Sequence, residues 1–347
     1  MRRRHFAKVS ALLCGLAPAC ASETVELPPP APVHWQAQTQ RPASPVEPTQ
    51  NERAVAETYA KALVSPRFAA LGSLLDDEVL FAFGARTTRG RDKVIKQHDE
   101  MFGAFDDRRF LTSRAWLTDS THEINSQAIE WSMTGVQARA WMGVAPTGKH
   151  VTIKGLTLLW ATDDGVITEL HAYFDEDVVK AQLGAGPVDL RGLVTPAAPA
   201  APSQVFERTG RPEEGANVAT FRRMLDALEK NEEPVFLGTM SDDVSVTTID
   251  AAQPLRGKDA ARSYFRNLRK AVRQVDTVVE NAWGVGAFAI VEYSITGLQI
   301  APLPRIALAG GGGLRPLHTQ YVDVVEIHDA KIARIWRYSD PAAFSSL

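Results

Sequence analysis

Hydrophobic and polar positions follow the same order twice along the chain. Leucines and alanines recur at three- and four-residue spacing in 54–63 and 68–75, and again in 218–228 and 234–240, which predicts helices. A short β-rich run, a further helical segment and long runs of β-branched and aromatic residues follow each pair, and such runs predict antiparallel strands. Helices followed by a meander predict an α+β fold in each half.

Repeated motifs support two copies of one unit. Three motifs occur once in each half, in the same order and at nearly the same spacing: Arg89-Gly90-Arg91-Asp92 and Arg256-Gly257-Lys258-Asp259, the segments 130–135 and 292–297, and the closing strands 167–175 and 332–340. We expect the aspartate of the first motif to cap the helix that follows. Chance similarity does not preserve order and spacing, so the pattern predicts tandem modules.

Stretches rich in proline and alanine set the predicted boundaries. Module 1 is predicted at residues 51–185 and module 2 at 216–347, joined by an Ala/Pro-rich linker at 186–215. Residues 23–50 combine proline clusters with polar residues, which is typical of a disordered tether. Each module is expected to be a cone, in which N-terminal helices wrap a curved antiparallel sheet and leave a pocket between them.

The N-terminal residues 1–22 resemble an export signal. A basic start is followed by a mostly apolar stretch of small residues, 9–19, too short to span a bilayer. Two outcomes stay open: cleavage among the small residues around Cys20, or lipoprotein processing that lipidates Cys20. Both predict an exported bacterial protein, located in the periplasm or held at the outer membrane by a lipid anchor. The mature part would carry no disulfide, because Cys14 and Cys20 are the only cysteines.

Composition narrows the possible partners. Hydrophobic residues make up 45% and charged residues 23% of the chain, with a formal net charge of −3, so no bias toward nucleic acid is present. No histidine has metal-ligand partners at suitable spacing, and no nucleophile elbow occurs; we therefore predict neither a metal nor another cofactor. The run 310–313 of four glycines predicts a flexible insertion at a pocket rim rather than a phosphate loop.

Several motifs of module 1 resemble one superfamily: Tyr59-Ala60-Lys61-Ala62-Leu63, Leu75-Asp76-Asp77, the Arg-Gly-Arg-Asp turn, Ala145-Pro146-Thr147-Gly148-Lys149, and the strand ending in Tyr173-Phe174-Asp175. They are similar to the nuclear transport factor 2-like superfamily, and within it to the SnoaL-like branch of polyketide cyclases and ketosteroid isomerase relatives. Module 2 resembles it more loosely. The resemblance implies the cone fold, and it implies that the two modules can pair like the dimers of that superfamily.

The resemblance also implies where catalytic groups would lie. Relatives of the isomerase type carry a carboxylate base near Phe81–Phe83 and an acid near Thr157, but neither position is acidic here, so a steroid isomerase mechanism is not supported. In the cyclases an acidic residue of the last strand acts as general acid or base. That position falls at Ala172 in module 1 and at Arg337 in module 2.

Two functional hypotheses follow. In the first, module 1 binds a small apolar molecule with little or no catalysis, in a pocket lined by Phe81, Phe83, Trp131, Thr157, Ala172 and Phe174. In the second, module 1 is an acid/base enzyme of cyclase, isomerase or hydrolase type that uses His171 with Tyr59 or Asp175. The second needs His171 to point into the pocket. Alternation along the strand can also place His171 on the other face of the sheet. Asp175 can instead cap the C-terminal segment at the end of the strand. Module 2 is expected to serve mainly as a packing partner.

Overall fold

The computed structural model describes residues 50–84, 86–118, 124–185, 203–249, 253–303 and 314–339. The side chains of residues 50–54, 66 and 67 are outside this description. The predicted export signal with Cys20, nearly all of the tether, most of the linker and the glycine run also lie outside the described residues.

Module 1 begins with helices and continues into long strands, in the predicted order. Its elements are α1 Gln50–Leu63, a 3₁₀ helix Pro66–Ser73, β1 Leu75–Phe83, β2 Arg86–Arg89, α2 Arg91–Phe102, β3 Phe105–Leu117, β4 Ile124–Gln137, β5 His150–Thr162, β6 Ile167–Phe174, α3 Glu176–Leu183 and β7 Gln204–Glu207.

Module 2 repeats this order. Its elements are α4 Pro212–Glu229, α5 Glu233–Gly238, β8 Met240–Thr248, β9 Leu255–Arg256, α6 Gly257–Ala271, β10 Val272–Val285, β11 Phe288–Gln299, β12 Arg315–His328 and β13 Lys331–Ser339. The repeated order confirms the α+β fold class.

Each module contains one open sheet. The strand orders are β2-β1-β6-β5-β4-β3-β7 and β10-β11-β12-β13-β8-β9. Successive long strands pair antiparallel, but β1 pairs parallel with β6 and β8 pairs parallel with β13. The sheets are therefore mixed, whereas the sequence predicted antiparallel ones. The first strand of each module lies beside the last and runs in the same direction, because the intervening helix and strands provide the long connection that a parallel pair needs.

The helices and one face of each sheet enclose a hydrophobic core. In module 1 the residues of β6 alternate, so that Leu170, Ala172 and Phe174 pack among the buried side chains on the helix side. Module 2 has its own core, in which Phe221 of α4 packs with apolar residues of β11 to β13. Because successive strand residues point to opposite faces, every second residue of the central strands points away from these cores.

A third buried cluster joins the outward faces of the two sheets. Its members are Trp116, Ala128, Leu156, Leu158 and Tyr173 from module 1, and Trp283, Val285, Phe288, Ile290, Val322, Val324 and Tyr338 from module 2. The ring centroids of Trp116 and Phe288 are 5.7 Å apart. The modules thus contact each other sheet against sheet through apolar and aromatic side chains.

The helix caps differ from the prediction. Gly90 is the N-cap residue of α2 and Arg256 that of α6, so Asp92 and Asp259 lie in the first turns instead of at the caps. A carboxylate in the first turn still interacts favourably with the helix dipole. The glycine of the motif is needed because Gly90 has φ of 102°, which residues with a side chain rarely adopt.

Part of the predicted linker belongs to the fold. Strand β7 lies inside the range 186–215 and pairs parallel with β3 of module 1. Phe206 of this strand stacks on Trp116, with ring centroids 5.8 Å apart. Helix α4 then begins at Pro212, before the predicted start of module 2. The proline- and alanine-rich composition of this range did not predict the strand. β7 is stabilised by its pairing with β3, which the composition of the segment does not show.

The start of α4 lies directly against the end of β10. A Cβ atom added at Gly284 would stand 2.2 Å from the carbonyl oxygen of Glu214. The Glu214 carboxylate accepts hydrogen bonds from the backbone N–H of Gly286 at 2.7 Å and of Thr209 at 2.9 Å. Gly284 therefore permits a backbone contact that holds the first helix of module 2 on its sheet.

We predict that Gly284→Ala destabilises the protein by about 1–3 kcal/mol, because the clash is with backbone and cannot be relieved by a rotamer change. The matched control is Gly238→Ala, where an added Cβ meets nothing within 4 Å; we expect no loss there and a gain of up to about 1 kcal/mol. Urea unfolding monitored by circular dichroism measures both. Equal midpoints for the two variants would contradict the assigned role of Gly284.

Candidate functional site

Aromatic side chains are buried in the interior of module 1. The structure brings together all six predicted lining residues, each at most 4% exposed: Phe81, Phe83, Trp131, Thr157, Ala172 and Phe174. The ring centroids of Phe83 and Phe174 are 4.6 Å apart. Phe102 of α2 contacts both Trp131 and Phe174 with centroids 5.8 Å apart. The six residues share one core, and their role in ligand binding stays a prediction.

A chain of hydrogen bonds runs through this aromatic interior. His98 Nδ1 lies 2.9 Å from the carbonyl oxygen of Val94, so Nδ1 carries the proton and Nε2 is free to accept. The Tyr59 hydroxyl donates to His98 Nε2 at 3.2 Å and also interacts with Thr157. Trp131 Nε1 donates to Thr157 Oγ1 at 3.0 Å. Tyr59 thus lies in the interior with His98 as its partner, and its catalytic role stays a prediction.

The two titratable groups of this chain, His98 and Tyr59, are uncharged at pH 7. Burial lowers the pKa of His98 to about 4, against the opposing effect of its hydrogen bond to Val94. Burial also raises the pKa of Tyr59 far above its usual range, and the Thr157 hydroxyl opposes this only in part. Among the described residues, no carboxylate is a partner of this chain. It can orient a bound molecule, but it supplies no strong base near neutral pH.

His98 is one of the histidines for which the sequence indicated no metal-ligand partners, and its place in the interior was not predicted. It lies on the buried face of α2 together with Val94, Met101 and Phe102. These residues are three or four positions from it, which is the spacing of one helix face. That spacing is the signal that could have placed His98 in the core.

His171 does not point into the module 1 interior. It lies on the opposite face of the sheet from its neighbours Leu170 and Ala172, which belong to the core. Its ring contacts Trp160 with centroids 4.8 Å apart, and its Nδ1 lies 2.6 Å from Glu292 Oε1 of module 2. The predicted pairing of His171 with Tyr59 in one pocket is therefore wrong in its geometry, because alternation along β6 turns the His171 side chain away from the core in which Tyr59 of α1 is buried.

His171 is part of a buried ion pair between the modules. Its Nε2 also contacts Glu169 Oε1 at 2.8 Å. Burial alone would lower the pKa of His171, but the Glu292 charge and hydrogen bonds to Glu169 and Glu292 raise it to about 10. Burial would raise the pKa of Glu292, yet His171 and hydrogen bonds from Tyr173 and Asn281 hold it below its usual value. Both groups are thus charged at neutral pH.

Asp175 is used as a helix cap. Its Oδ1 accepts from the backbone N–H groups of Asp177 at 3.0 Å and Val178 at 3.1 Å, at the start of α3. A carboxylate at this position satisfies otherwise unpaired donors of the first turn. The predicted catalytic role of Asp175 is not supported by this arrangement, which matches the capping alternative.

The interior of module 2 contains a charged pair. Arg337 Nε donates to Asp323 Oδ1 at 2.9 Å, and Nη2 donates to Oδ2 at 2.8 Å, which is a bidentate pair. Asp323 is fully buried and Arg337 is 8% exposed. Burial lowers the pKa of Arg337, but the Asp323 charge outweighs this effect and the net pKa is raised.

Three tyrosines surround this pair. Tyr293 accepts from Arg337 Nη2 at 2.7 Å and donates to Asp323 Oδ2 at 3.0 Å. Tyr264 of α6 accepts from Arg337 Nη1 at 2.7 Å. The guanidinium carbon lies 4.9 Å from the centroid of the Tyr321 ring and 5.4 Å from that of Tyr264. The sequence offered only one signal for this cluster, which was that Arg337 stands where the cyclases have an acidic residue.

Among the described residues, no three histidine, cysteine or carboxylate side chains are grouped so that they could hold a metal ion. In the same part of the chain, no helix is both long enough and apolar enough to cross a membrane.

Comparison with known families identifies the modules. The model of the SnoaL-like polyketide cyclase family matches residues 53–183, and a second model, that of a SnoaL-like domain, matches residues 221–335. The chain therefore contains two SnoaL-like domains in tandem. No curated protein sequence matches it significantly.

Solved structures of similar fold each cover little more than a third of this chain. A protein from Jannaschia sp. CCS1 described as a SnoaL-like polyketide cyclase is 21% identical, with 38% of this chain and 91% of its own covered and a TM-score of 0.34. An LEH-like epoxide hydrolase of M. tuberculosis is 16% identical, with 38% and 89% covered and a TM-score of 0.31. An NTF2-like protein of unknown function from Burkholderia pseudomallei K96243 is 14% identical, with 38% and 98% covered and a TM-score of 0.31.

We predict that His171→Gln lowers the free energy of unfolding at pH 7 by about 3–5 kcal/mol, because it leaves Glu292 buried without its cation. The folded-state pKa of about 10 lies above the unfolded value of 6.5. The stabilisation is therefore complete below the unfolded value and is lost as pH rises toward 10. The difference between wild type and variant should shrink over that range in urea unfolding.

The control for this prediction is His328→Gln. His328 also contacts a glutamate, Glu326, but its side chain is 57% exposed, so we expect a change within about 0.5 kcal/mol. A His171→Gln variant as stable as this control at pH 7 would refute the role of the buried pair.

Proposed function

We propose that module 1 binds a small apolar molecule between its helices and its sheet, with little or no catalysis. The observation that carries the proposal is its interior, in which aromatic rings surround a short chain of neutral polar groups. Small-molecule sites are typically apolar with a few polar groups that fix the orientation of the ligand. Tyr59 and Thr157 are the groups that would orient the bound molecule.

The alternative function, an acid/base enzyme using His171 and Tyr59, has less support. His171 is bound by Glu292 and Glu169 at the module interface. His98 is the histidine that contacts Tyr59, but its pKa of about 4 makes it a poor proton acceptor at neutral pH. Asp175 is engaged at the start of α3. Binding without chemistry fits these contacts better.

We also propose that the protein is exported in a bacterium, to the periplasm or to the outer membrane through a lipid on Cys20. The support is the sequence pattern of residues 1–22, with its basic start and short apolar stretch. A proline-rich tether after it would hold the modules away from a membrane surface.

The binding proposal predicts that the neutral fluorescent probe N-phenyl-1-naphthylamine binds the full chain with a blue-shifted emission. Ala172→Leu, which adds volume to the interior where Ala172 is 4% exposed, should weaken binding about tenfold or more. The matched control is Ala138→Leu on an exposed residue after β4, which should bind as wild type. Equal binding by both variants, or no binding by wild type, would refute the proposal.

The export proposal predicts a mature chain shorter than 347 residues when the full sequence is expressed in a bacterial host. Intact mass spectrometry of the fractionated cells measures the processing site. A diacylated or triacylated N-terminal Cys20 in the membrane fraction, lost in Cys20→Ser, identifies a lipoprotein, whereas an unmodified shortened chain identifies signal peptide cleavage. An unprocessed chain in the cytoplasm would overturn export.

A further inference from the structure

The exposed side of helix α6 changes from paired to unpaired cations along its length. In the middle of the helix, Arg266 donates to both carboxylate oxygens of Glu233, at 2.7 and 2.8 Å. Lys270 follows one turn later on the same face, and Arg273 follows at the start of β10. Both are exposed, and neither has a carboxylate partner among the described residues. Positive charge is therefore uncompensated where α6 ends.

A third cation adds to this charge. Arg269 is partly buried beside Lys270, and its Nε and Nη1 atoms have no hydrogen-bond acceptor in the part of the chain that the structure describes. Cations in the last turn interact favourably with the helix dipole. The dipole does not require them, however, because the last turn of α2 in module 1 contains no basic residue.

The corresponding turn of module 1 has the opposite charge. Asp107 and Gln274 have φ of 51° and 52°, which aligns the turns that follow α2 and α6. Asp106 therefore stands where module 2 has Arg273. Because the two modules share the fold and differ in these charges, the cations belong to module 2 alone.

An exposed leucine lies at the same end of module 2. Val272, the first residue of β10, pairs with Gln299 of β11, and Gln299 pairs with Arg315 of β12. Leu314 directly precedes Arg315 and is 61% exposed, more than any other large hydrophobic residue that the structure describes. Apolar groups that enter the headgroup region and cations that attract anionic lipids together bind proteins to membrane surfaces.

We propose that this end of module 2, defined by Lys270, Arg273 and Leu314 and called the basic end, docks onto the surface of an anionic lipid bilayer. The two cations lie at lipid phosphate groups, and Leu314 enters the headgroup region. The whole chain has a net charge of −3, so the attraction is local and directs one end of the molecule to the membrane. A soluble polyanion matches the cations but gives no role to the exposed leucine. The proposal depends neither on a lipid at the N-terminus nor on a ligand in module 1.

The experiment places a fluorophore at the proposed contact. The full chain with Cys14→Ser and Cys20→Ser receives one nitrobenzoxadiazole label at Asn267→Cys, an exposed position of α6. We expect a blue-shifted, brighter emission with phosphatidylglycerol vesicles and little change with phosphatidylcholine vesicles. High salt should reverse the response, because it screens exposed charges. The matched control is a label at Glu100→Cys, the corresponding exposed position of α2, which should respond to neither vesicle. Membrane contact through residues 1–22 is common to both labelled chains and does not distinguish them.

Removal of the cations tests the electrostatic attraction. Lys270→Gln combined with Arg273→Gln should raise the phosphatidylglycerol concentration for half-maximal response about tenfold or more, since each cation near an anionic surface contributes about fivefold. The control is Arg89→Gln combined with Lys93→Gln, which removes two exposed cations of module 1 and should leave this concentration unchanged. Circular dichroism confirms that both double variants are folded.

Four outcomes would overturn the proposal: no response of the label at residue 267, equal responses at residues 267 and 100, equal responses to the two kinds of vesicle, or equal losses in the two double variants. A stronger response of the label at residue 267 to soluble heparin than to phosphatidylglycerol vesicles would assign the basic end to a soluble polyanion, and it would overturn membrane docking as well.

Discussion

A carboxylate buried between two sheets is the constraint on which the arrangement of this protein depends. Glu292 has no exposed surface and is ionised, and removing such a group from water costs several kcal/mol unless it is paired and hydrogen-bonded. Its partners are Asn281 of module 2 and His171 and Tyr173 of module 1. The sheets cannot slide or separate without leaving this charge unpaired, so the pair fixes how the modules meet.

The interface gives a physical reason for the repeat, because corresponding residues of the two modules meet there. Glu130 of module 1 corresponds to Glu292, and it interacts with Tyr338 of module 2, the counterpart of the Tyr173 that donates a hydrogen bond to Glu292. The cations differ, however. Glu130 is paired with Arg114 of its own module, whereas Glu292 takes its cation from His171 of the other. The contacts of the two glutamates are thus reciprocal across the interface, but their cations come from different modules. The pairing with Glu292 leaves His171 unavailable to the interior of module 1.

The two interiors have diverged in opposite ways. Module 1 encloses neutral polar groups among aromatic rings, with His98 uncharged because burial disfavours its protonated form. Module 2 encloses an ion pair, Arg337 with Asp323, which tolerates burial because each charge compensates the other and three tyrosines surround it. One fold therefore provides two chemically distinct interiors in a single chain.

Periodicity, turns and the repeated motifs were enough to predict two α+β modules, because helix and strand periods depend on local geometry. Phe83 and Trp131 were predicted to line a pocket, and the structure buries both in the core of module 1. Strand β7 was not predictable, since its pairing with β3 is a contact between distant segments. For His171 the sequence left either face of the strand open, and the structure places it on the face away from Tyr59. The family resemblance, the order of elements and the aromatic content of module 1 follow from the amino-acid sequence alone. Which polar residues meet does not, because Glu292 with His171 and Arg337 with Asp323 are brought together by sheet pairing and sheet packing, which leave no local pattern in the chain.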